Sequence, residues 1–282
     1  MCPKCGFIGK MWPIGNELFK CTSCKHKASV IAGTIFQDTR RPLKTWFTAI
    51  WWVTTQKNGA SAKGLQRILG LKSYTTAWTW LHKIRKAMVD PNRTKLSGTA
   101  EVDECYIGGE EHGGKRGRGT ENKSLVAIAV ELLEGKNQLG RVRMKVVPDM
   151  SKGSLQGFIK ENVELGSTII TDGWSSYDSI DKNGYSHIVP KKFESADQDN
   201  ILPHAHMIIS LLKRWLLGTH QGAVQEMHLQ AYLDEYVFRF NRRKSAQRGL
   251  LFYRLLECAM QIPPTTQDEL LGHKRVATQL TG

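Results

Sequence analysis

Four cysteines near the amino terminus constrain the first part of this chain more than any other feature. They form two C-x2-C pairs, Cys2 with Cys5 and Cys21 with Cys24, and the segment between the pairs is long enough for a short hairpin. Each pair brings two thiolates to one turn, and two such turns facing each other complete the tetrahedral sulfur shell of a structural zinc ion. Two disulfides would instead suit a secreted protein, and no signal peptide is visible after Met1. The spacing therefore predicts a zinc ribbon over residues 1–33.

The positive charge of the chain is concentrated in its first third. The whole chain carries 40 Lys and Arg against 26 Asp and Glu, a formal net charge of +14. Residues 1–98 alone carry 17 basic and 3 acidic side chains, so the rest of the chain is neutral overall. A localised basic module favours a polyanion such as nucleic acid over a merely solvated charged surface.

The same composition argues against a membrane partner. The longest dense apolar run, Thr45–Val53, is far shorter than the roughly 20 residues that a bilayer span requires. No amphipathic anchor is visible. We therefore expect a cytoplasmic protein that associates with the nucleoid and not with a membrane.

Residues 34–98 read as a helical region followed by a linker. Pro42 suits the start of one helix, and Ser61 and Ser73 are suitable caps for two more. A short turn containing Gly70 separates the second and third helices, which is typical of a helix-turn-helix. Lys and Arg on the third helix favour DNA binding, while a plain three-helix bundle with the same aromatic core stays open.

Beyond residue 98 the pattern changes to strands. Three consecutive strands, a helix and a fourth strand predict an α/β domain with a mixed sheet, followed by a helical last third. The loop Gly108–Lys123, rich in glycine and charge, is predicted to contact a phosphate backbone.

Two aspartates stand out in these strands. Asp103 lies in the middle of the first strand and Asp172 at the end of the fourth. A carboxylate on a buried strand is costly unless something compensates it, so the two are plausible ligands of a hard divalent cation. Glu101, on the face of Asp103, and Glu104, on the opposite face, remain competitors.

Several segments together resemble the zinc-ribbon insertion-sequence transposases of the ISXO type, within the DDE superfamily. The resemblance covers nearly the whole chain and is carried by the ribbon and by these segments: GTIFQDTRRPLKTWFTAIW, KNGASAKGLQRILGLKSYTTAWTWLHKIRKAM, VDECYIGG, TDGWSSY, LLKRWLLGTHQGAV and HLQAYLDEYVFRFNRR. It implies an RNase H-like catalytic core over residues 99–262, preceded by the zinc ribbon and a helix-turn-helix-like DNA-binding region over residues 34–98. A tail follows at residues 263–282. The chain starts at the first zinc cysteine, whereas relatives commonly carry residues before it, so we expect that the start is misassigned or truncated.

The resemblance also implies a catalytic site with two divalent ions, Mg²⁺ or Mn²⁺. Its first two carboxylates match Asp103 and Asp172. Relatives often place a Glu at the third position and a Lys seven residues later; here Lys213 matches the Lys, and counting back seven residues gives His206. Imidazole is a softer ligand than a carboxylate, so the third position stays open to glutamates that lack this Lys. They are Glu194, Glu226 and Glu235.

The implied function is that of a DNA transposase of a bacterial-type insertion sequence. Such an enzyme binds terminal inverted repeats and catalyses metal-dependent 3′-end cleavage and strand transfer into target DNA. Two ends must be brought together, so a homodimer or a larger assembly on DNA is expected. The alternatives are a DNA-binding regulator, a domesticated and catalytically inactive derivative, and a non-mobile RNase H-like nuclease. The paired aspartates favour an enzyme, because a regulator has no need of them.

Overall fold

The computed structural model describes residues 1–15, 18–108, 123–133, 138–190, 201–220 and 224–272. Most of the predicted phosphate-contacting loop, residues 109–122, and the alternative ligand Glu194 lie outside these ranges. Among the described residues, no helix is both long enough and apolar enough to cross a bilayer.

The described elements are strands and α-helices in two groups. The strands are β1 (Met11–Gly15), β2 (Leu18–Cys21), β3 (Lys27–Ser29), β4 (Thr99–Gly108), β5 (Lys123–Leu133), β6 (Gln138–Val147), β7 (Thr168–Ile170) and β8 (Ser186–Ile188). The helices are α1 (Leu43–Thr55), α2 (Ala62–Ile68), α3 (Tyr74–Ala87), α4 (Lys152–Asn162), α5 (Pro203–His220), α6 (Glu226–Asn241), α7 (Arg248–Gln261) and α8 (Gln267–Leu270). They fall into two compact units, residues 1–56, 62–91 and 247–282 in one, and residues 57–61 and 92–246 in the other.

The amino-terminal unit contains a small antiparallel sheet and a helical core. The sheet has the order β1-β2-β3. In the helical part, the rings of Trp46 on α1 and Trp80 on α3 stack at 3.8 Å between centroids. Ser73 caps α3 by accepting a hydrogen bond from the backbone N–H of Thr76, as its position before the helix predicts. α2 and α3 are joined by a turn in which Gly70 has φ +59°, a conformation that favours glycine.

Helix α7 belongs to this same unit. Its Phe252 ring meets the rings of Phe47 and Trp51 edge-on, at 6.3 and 6.0 Å between centroids. The compact unit that holds the large sheet ends at residue 246. α7 lies outside it because α7 packs against α1, a contact between residues far apart in the chain. The catalytic-domain boundary at residue 262, which the resemblance implies, stays a prediction.

The second unit is built on a five-stranded mixed sheet with the order β6-β5-β4-β7-β8. β4, β5 and β6 are antiparallel neighbours, while β7 is parallel to β4 and β8 is parallel to β7. This is the mixed sheet that the sequence predicts. The prediction missed β8, because Ser186–Ile188 is too short to show an alternating pattern.

Helices cover both faces of this sheet. α5 and α6 pack on one face through buried residues such as Leu212 and Leu233. α4 packs on the other face through Phe158 and Ile159. Side chains along a strand alternate between the two faces. On β4, Cys105 and Ile107 therefore face α5, and Ala100 and Val102 face α4.

Helix α6 also covers the exposed edge of the sheet. Gln230 accepts a hydrogen bond from the backbone N–H of Val146 at 2.9 Å, and Asn241 accepts one from the N–H of Val142 at 2.8 Å. These side chains satisfy outward-facing backbone groups of β6 that would otherwise be free to pair with another strand.

A buried carboxylate fixes the irregular pairing of β5 with β6. The register shifts between Val130 and Leu132, and Glu131 lies at the shift. The Glu131 carboxylate accepts hydrogen bonds from the Arg141 guanidinium at 2.6 and 2.9 Å, and from the backbone N–H groups of Arg141 and Ser97. Burial alone would raise the pKa of Glu131, but these hydrogen bonds hold it below its ordinary value.

Substitution of Glu131 tests this arrangement. We expect Glu131→Gln to lower the free energy of unfolding by about 2 kcal/mol at pH 7, because the partly exposed Arg141 guanidinium and two backbone N–H groups lose a charged acceptor. The folded-state pKa is lowered, so the difference from wild type should be full above the unfolded value of about 4.3 and should shrink as the pH falls below it. Urea unfolding between pH 3 and pH 7 measures this.

The matched control is Glu161→Gln, which breaks an exposed ion pair with Lys145. It should cost less than about 1 kcal/mol at every pH. Equal, small losses for both variants would contradict the structural importance of Glu131.

Candidate active site and metal centre

The four amino-terminal cysteines lie together. The distance between Cys2 Sγ and Cys24 Sγ is 3.7 Å, and that between Cys5 Sγ and Cys21 Sγ is 3.8 Å. All four sulfurs lie within 4.8 Å of one another, and none forms a disulfide. Four sulfurs bound at 2.3 Å to one tetrahedral ion would be about 3.8 Å apart, so the cluster could hold a zinc ion.

Asp103 lies on the face of β4 that is directed toward α5. Its side chain is only 13% exposed. Burial raises the pKa of the Asp103 carboxyl, and the negative charges of Asp172 and Glu101 raise it further. The N–H of Glu104 and the charge of His206 act in the opposite direction. The ionised carboxylate is therefore in surroundings that a bound cation would stabilise.

Asp172 comes level with Asp103 through the pairing of two parallel strands. Glu101 on β4 lies opposite Ile170 on β7. The paired part of β7 ends there. Two residues further along each segment are Asp103, on β4, and Asp172, just beyond β7, so continuation of the same register would bring both to one level and one face of the sheet.

A tight turn holds Asp172 just beyond β7. Its Oδ1 accepts a hydrogen bond from the backbone N–H of Trp174 at 2.9 Å. The residue between them, Gly173, has φ +81°, and a Cβ there would lie 2.8 Å from Cγ1 of Val189. Only glycine fits this position without a shift of the Val189 side chain.

His206 and Lys213 extend from α5 over the same region. His206 Nε2 lies 3.3 Å from Oδ2 of Asp103, and its side chain is 47% exposed. Lys213 lies two turns further along α5 and is exposed. Its charge reaches Cys105, whose pKa burial raises to about 12 while Lys213 opposes the rise. The four predicted residues Asp103, Asp172, His206 and Lys213 thus gather on one side of the sheet.

The possible metal-ligand atoms around Asp103 are spaced more widely than the four cysteine sulfurs. Within the described part of the chain, only the cysteine cluster brings three or more possible ligand atoms within 4.8 Å of one another. The arrangement around Asp103 is therefore an open, acidic site and not a closed single-ion cage.

Glu101 has a role that the sequence pattern does not reveal. It is buried, and its carboxylate accepts hydrogen bonds from His204 Nδ1 at 2.7 Å and from the backbone N–H of Ala205 at 2.8 Å. Both donors belong to the first turn of α5, so Glu101 fixes this turn on β4 and sets the position of His206. The sequence indicates that Glu101 shares one face of β4 with Asp103, because the two residues are two positions apart. Nothing in the sequence indicates that His204 is the partner of Glu101.

The other glutamates considered as ligands lie in different surroundings. Glu235 is fully buried and is hydrogen-bonded to Arg239 at 2.7 Å and to the backbone N–H of Ala60 at 3.1 Å, which makes it a structural residue. Glu104 accepts a hydrogen bond from the Tyr177 hydroxyl at 2.7 Å. Glu226 is exposed at the start of α6.

A groove of about 720 Å³ adjoins the site. The second half of β4 and the second half of α5 form its walls, and Lys123, Lys213 and Glu104 lie on its lining together with Leu216 and Leu217. Two cations against one carboxylate, beside an apolar wall, suit a ligand that is anionic on one side and apolar on the other.

The chain is similar to known mobile-element proteins. Over 238 residues it is 23% identical to a protein in the transposable element ISH50 of Halobacterium salinarum, a match that covers 79% of this chain and 78% of that protein. Over 102 residues, 36% of this chain and 81% of the relative, it is 28% identical to an uncharacterized transposase-like protein of Haemophilus influenzae.

Two solved structures show a weak likeness. The first is the simian T-cell lymphotropic virus intasome in complex with PP2A regulatory subunit B56 gamma, with a TM-score of 0.33, 15% identity and coverage of 67% of this chain and 70% of that one. The second is the Mos1 transposase paired-end complex with the left transposon end, with a TM-score of 0.33, 9% identity and coverage of 84% and 81%.

The match to a protein family is stronger. The ISXO2-like transposase domain matches residues 95–241, just over half of the chain. This range contains the mixed sheet, both aspartates and helices α4, α5 and α6. The chain therefore belongs to the family of ISXO2-like transposases.

Proposed function

We propose that the protein is a DNA transposase that cleaves the 3′ ends of its element and joins them to target DNA, with Asp103 and Asp172 at the catalytic centre. The observation that carries the proposal is the parallel pairing of β4 with β7, whose register runs from Glu101 and Ile170 toward Asp103 and Asp172. A DNA-binding regulator has no requirement for such a pair.

The proposal includes an RNase H-like fold for the sheet-containing unit. Three antiparallel strands in chain order, with two further strands parallel to the first and helices on both faces, support it. In such a sheet the central strand β4 would carry Asp103, and the end of its parallel neighbour β7 would bring Asp172 beside it.

Two divalent ions, Mg²⁺ or Mn²⁺, are proposed at this centre. Asp103 and Asp172 would hold them through carboxylate oxygens, which are the donors that hard ions prefer, and His206 would contribute Nε2 in its neutral form. When bound, such ions supply activation of a water and stabilisation of the leaving oxygen. The burial of Asp103 and the charge of Asp172 both disfavour the ionised form of the Asp103 carboxyl, and a bound cation would offset both effects.

The rest of the chain is proposed to bind and position the DNA. Lys213 would contact a phosphate near the reacting bond, and the groove beside it would accept the adjoining nucleotides. The ribbon and the helices α2 and α3 would recognise the terminal inverted repeats, and a homodimer or larger assembly would bring two ends together. Glu101 would act as a positioning residue by holding the first turn of α5.

Substitution of the aspartates tests the catalytic assignment. We expect Asp103→Asn and Asp172→Asn to lower cleavage and strand transfer at least about 100-fold, because loss of a direct ligand should exceed the 10–100-fold cost of losing a supporting residue. The assay uses DNA from both flanks of the gene with Mg²⁺ or Mn²⁺.

Asp181→Asn is the matched control, because Asp181 is an exposed aspartate in a short 3₁₀ helix of the same unit. It should retain wild-type rates. Full activity of Asp103→Asn would refute the catalytic assignment, and DNA binding without any metal-dependent product in wild type would favour the regulator or an inactive derivative.

His206 is tested separately. We expect His206→Ala to lower the rate and to raise the concentration of Mg²⁺ needed for half-maximal cleavage, because one metal ligand is lost. His206→Glu should recover activity, since it restores the acidic third position of the family. Unchanged metal dependence in His206→Ala would assign the third ligand to another residue, such as Glu194 or Glu226.

The cysteine cluster is proposed to bind one structural zinc ion. We expect about one zinc per chain by elemental analysis, and loss of this zinc in Cys21→Ser, because the tetrahedral shell then lacks a sulfur. Cys258→Ser, which removes a cysteine that has no C-x2-C partner, should keep the metal. Equal zinc content in both variants would contradict the assignment.

A further inference from the structure

A second cavity lies within the amino-terminal unit. Its volume is about 270 Å³, several times the roughly 30 Å³ that one water occupies in the liquid. The segment that precedes α1 and one face of α3 form its walls, and the stacked rings of Trp46 and Trp80 border it. Basic side chains dominate its charged lining, with Lys83 on α3 and Arg40 and Arg41 on the segment before α1.

One hydroxyl in this cavity has no hydrogen-bond partner among the described residues. Thr79 is 7% exposed, and its Oγ1 is buried and unsatisfied. A helical threonine often donates to a carbonyl one turn earlier, as Thr48 on α1 does to Lys44 at 2.9 Å. Thr79 does not, so its hydroxyl is a buried donor without an acceptor among the described residues, and an oxygen of a ligand reaches it only when neighbouring side chains of the lining move aside.

Lys83 lies one turn after Thr79 on the same face of α3. Its ammonium group is half-buried, and burial lowers the pKa of Lys83 although the charges of Asp38 and Glu269 oppose the change. Asp38 is the one acidic residue of the described lining, against three basic residues. An anion would therefore find excess positive charge in partly dehydrated surroundings, where electrostatic attraction is stronger than in water.

The wall that carries the two arginines has a defined conformation. Thr39 Oγ1 accepts hydrogen bonds from Trp46 Nε1 at 2.8 Å and from the backbone N–H of Arg41 at 3.2 Å. Asp38 adopts φ +59°, which an aspartate tolerates better than most residues. The side chains of Arg40 and Arg41 are exposed and mark the rim of the cavity.

We propose that this cavity binds a phosphate group of the DNA backbone, with Thr79 donating to a phosphate oxygen and Lys83, Arg40 and Arg41 supplying the positive charge. The inference deepens the proposed DNA binding and rests on it. The chemistry recognised is that of a phosphate oxyanion, whose two sources are a DNA phosphodiester and free inorganic phosphate.

DNA binding of the full chain without added Mg²⁺ tests the proposal. Lys83→Gln should weaken binding about tenfold at low salt for any sequence, and should lower the slope of log Kd against log salt by about 0.9, the value for one phosphate contact. Lys152→Gln, at an exposed lysine on α4, is the control and should change neither quantity.

Thr79→Val separates ligand binding from a structural role. It should weaken DNA binding several-fold while the free protein stays at least as heat-stable as wild type, since the hydroxyl it removes is unsatisfied. Thr48→Val is its control. Wild-type affinity in both Lys83→Gln and Thr79→Val would overturn the proposal, and so would a loss of heat stability in Thr79→Val.

Inorganic phosphate distinguishes the two sources. If phosphate alone stabilises wild type but neither variant, and DNA affinity is unchanged in the variants, the site takes free phosphate and the assignment to DNA is overturned. These readouts need no cleavage, so failure of the catalytic proposal leaves them intact. If wild type binds no DNA, the proposed function and the assignment to DNA both fail, and the phosphate titration alone decides whether the cavity is an anion site.

Discussion

Parallel pairing of β4 with β7 is the interaction on which the candidate active site depends. It joins two segments that are far apart in the chain and aligns Glu101 with Ile170. Continuation of this register brings Asp103 and Asp172 near each other, and the negative charge of Asp172 acts on the carboxyl of Asp103. The turn at Gly173 and the hydrogen bond from Trp174 to Asp172 keep the second carboxylate at the strand end. The acidic pair is therefore a consequence of strand register, which the apolar contacts on both faces of the sheet stabilise.

Two acidic residues on the same face of β4 have opposite surroundings, and the contrast explains how one strand serves both structure and chemistry. Glu101 receives two protein donors from the first turn of α5, so its buried charge is compensated. Asp103 accepts a hydrogen bond from the N–H of Glu104 and lies 3.3 Å from His206 Nε2, but burial and the charges of Asp172 and Glu101 still raise its pKa. A buried, compensated carboxylate anchors a helix, whereas a carboxylate beside a second one suits a cation. The anchored helix is also the one that carries His206 and Lys213.

The amino-terminal unit is held by two different kinds of interaction. The four cysteine sulfurs, with pairs at 3.7 and 3.8 Å, organise a small sheet that has almost no apolar core of its own. The helical part depends instead on aromatic packing between Trp46 and Trp80, and α7 returns from the far end of the chain to complete it. In such a unit, a lysine and a threonine on one face of α3 come to line a cavity with basic residues from the segment that precedes α1.

The sequence by itself determined the features that depend on local spacing or on the chemistry of single residues. These are the cysteine cluster, the cap at Ser73 and the mixed sheet, whereas the choice of Asp103 and Asp172 as metal ligands stays a prediction. Only the tertiary structure decided the features that depend on contacts between distant residues. Glu235, a possible ligand by residue type, accepts a hydrogen bond from the backbone N–H of the distant Ala60; Glu101 pairs with His204; and α7 joins the amino-terminal unit. Local patterns report which face of a strand or helix is apolar, but they do not report which distant group that face meets. For a buried carboxylate, that distant partner decides whether it anchors the fold or remains available to a metal ion.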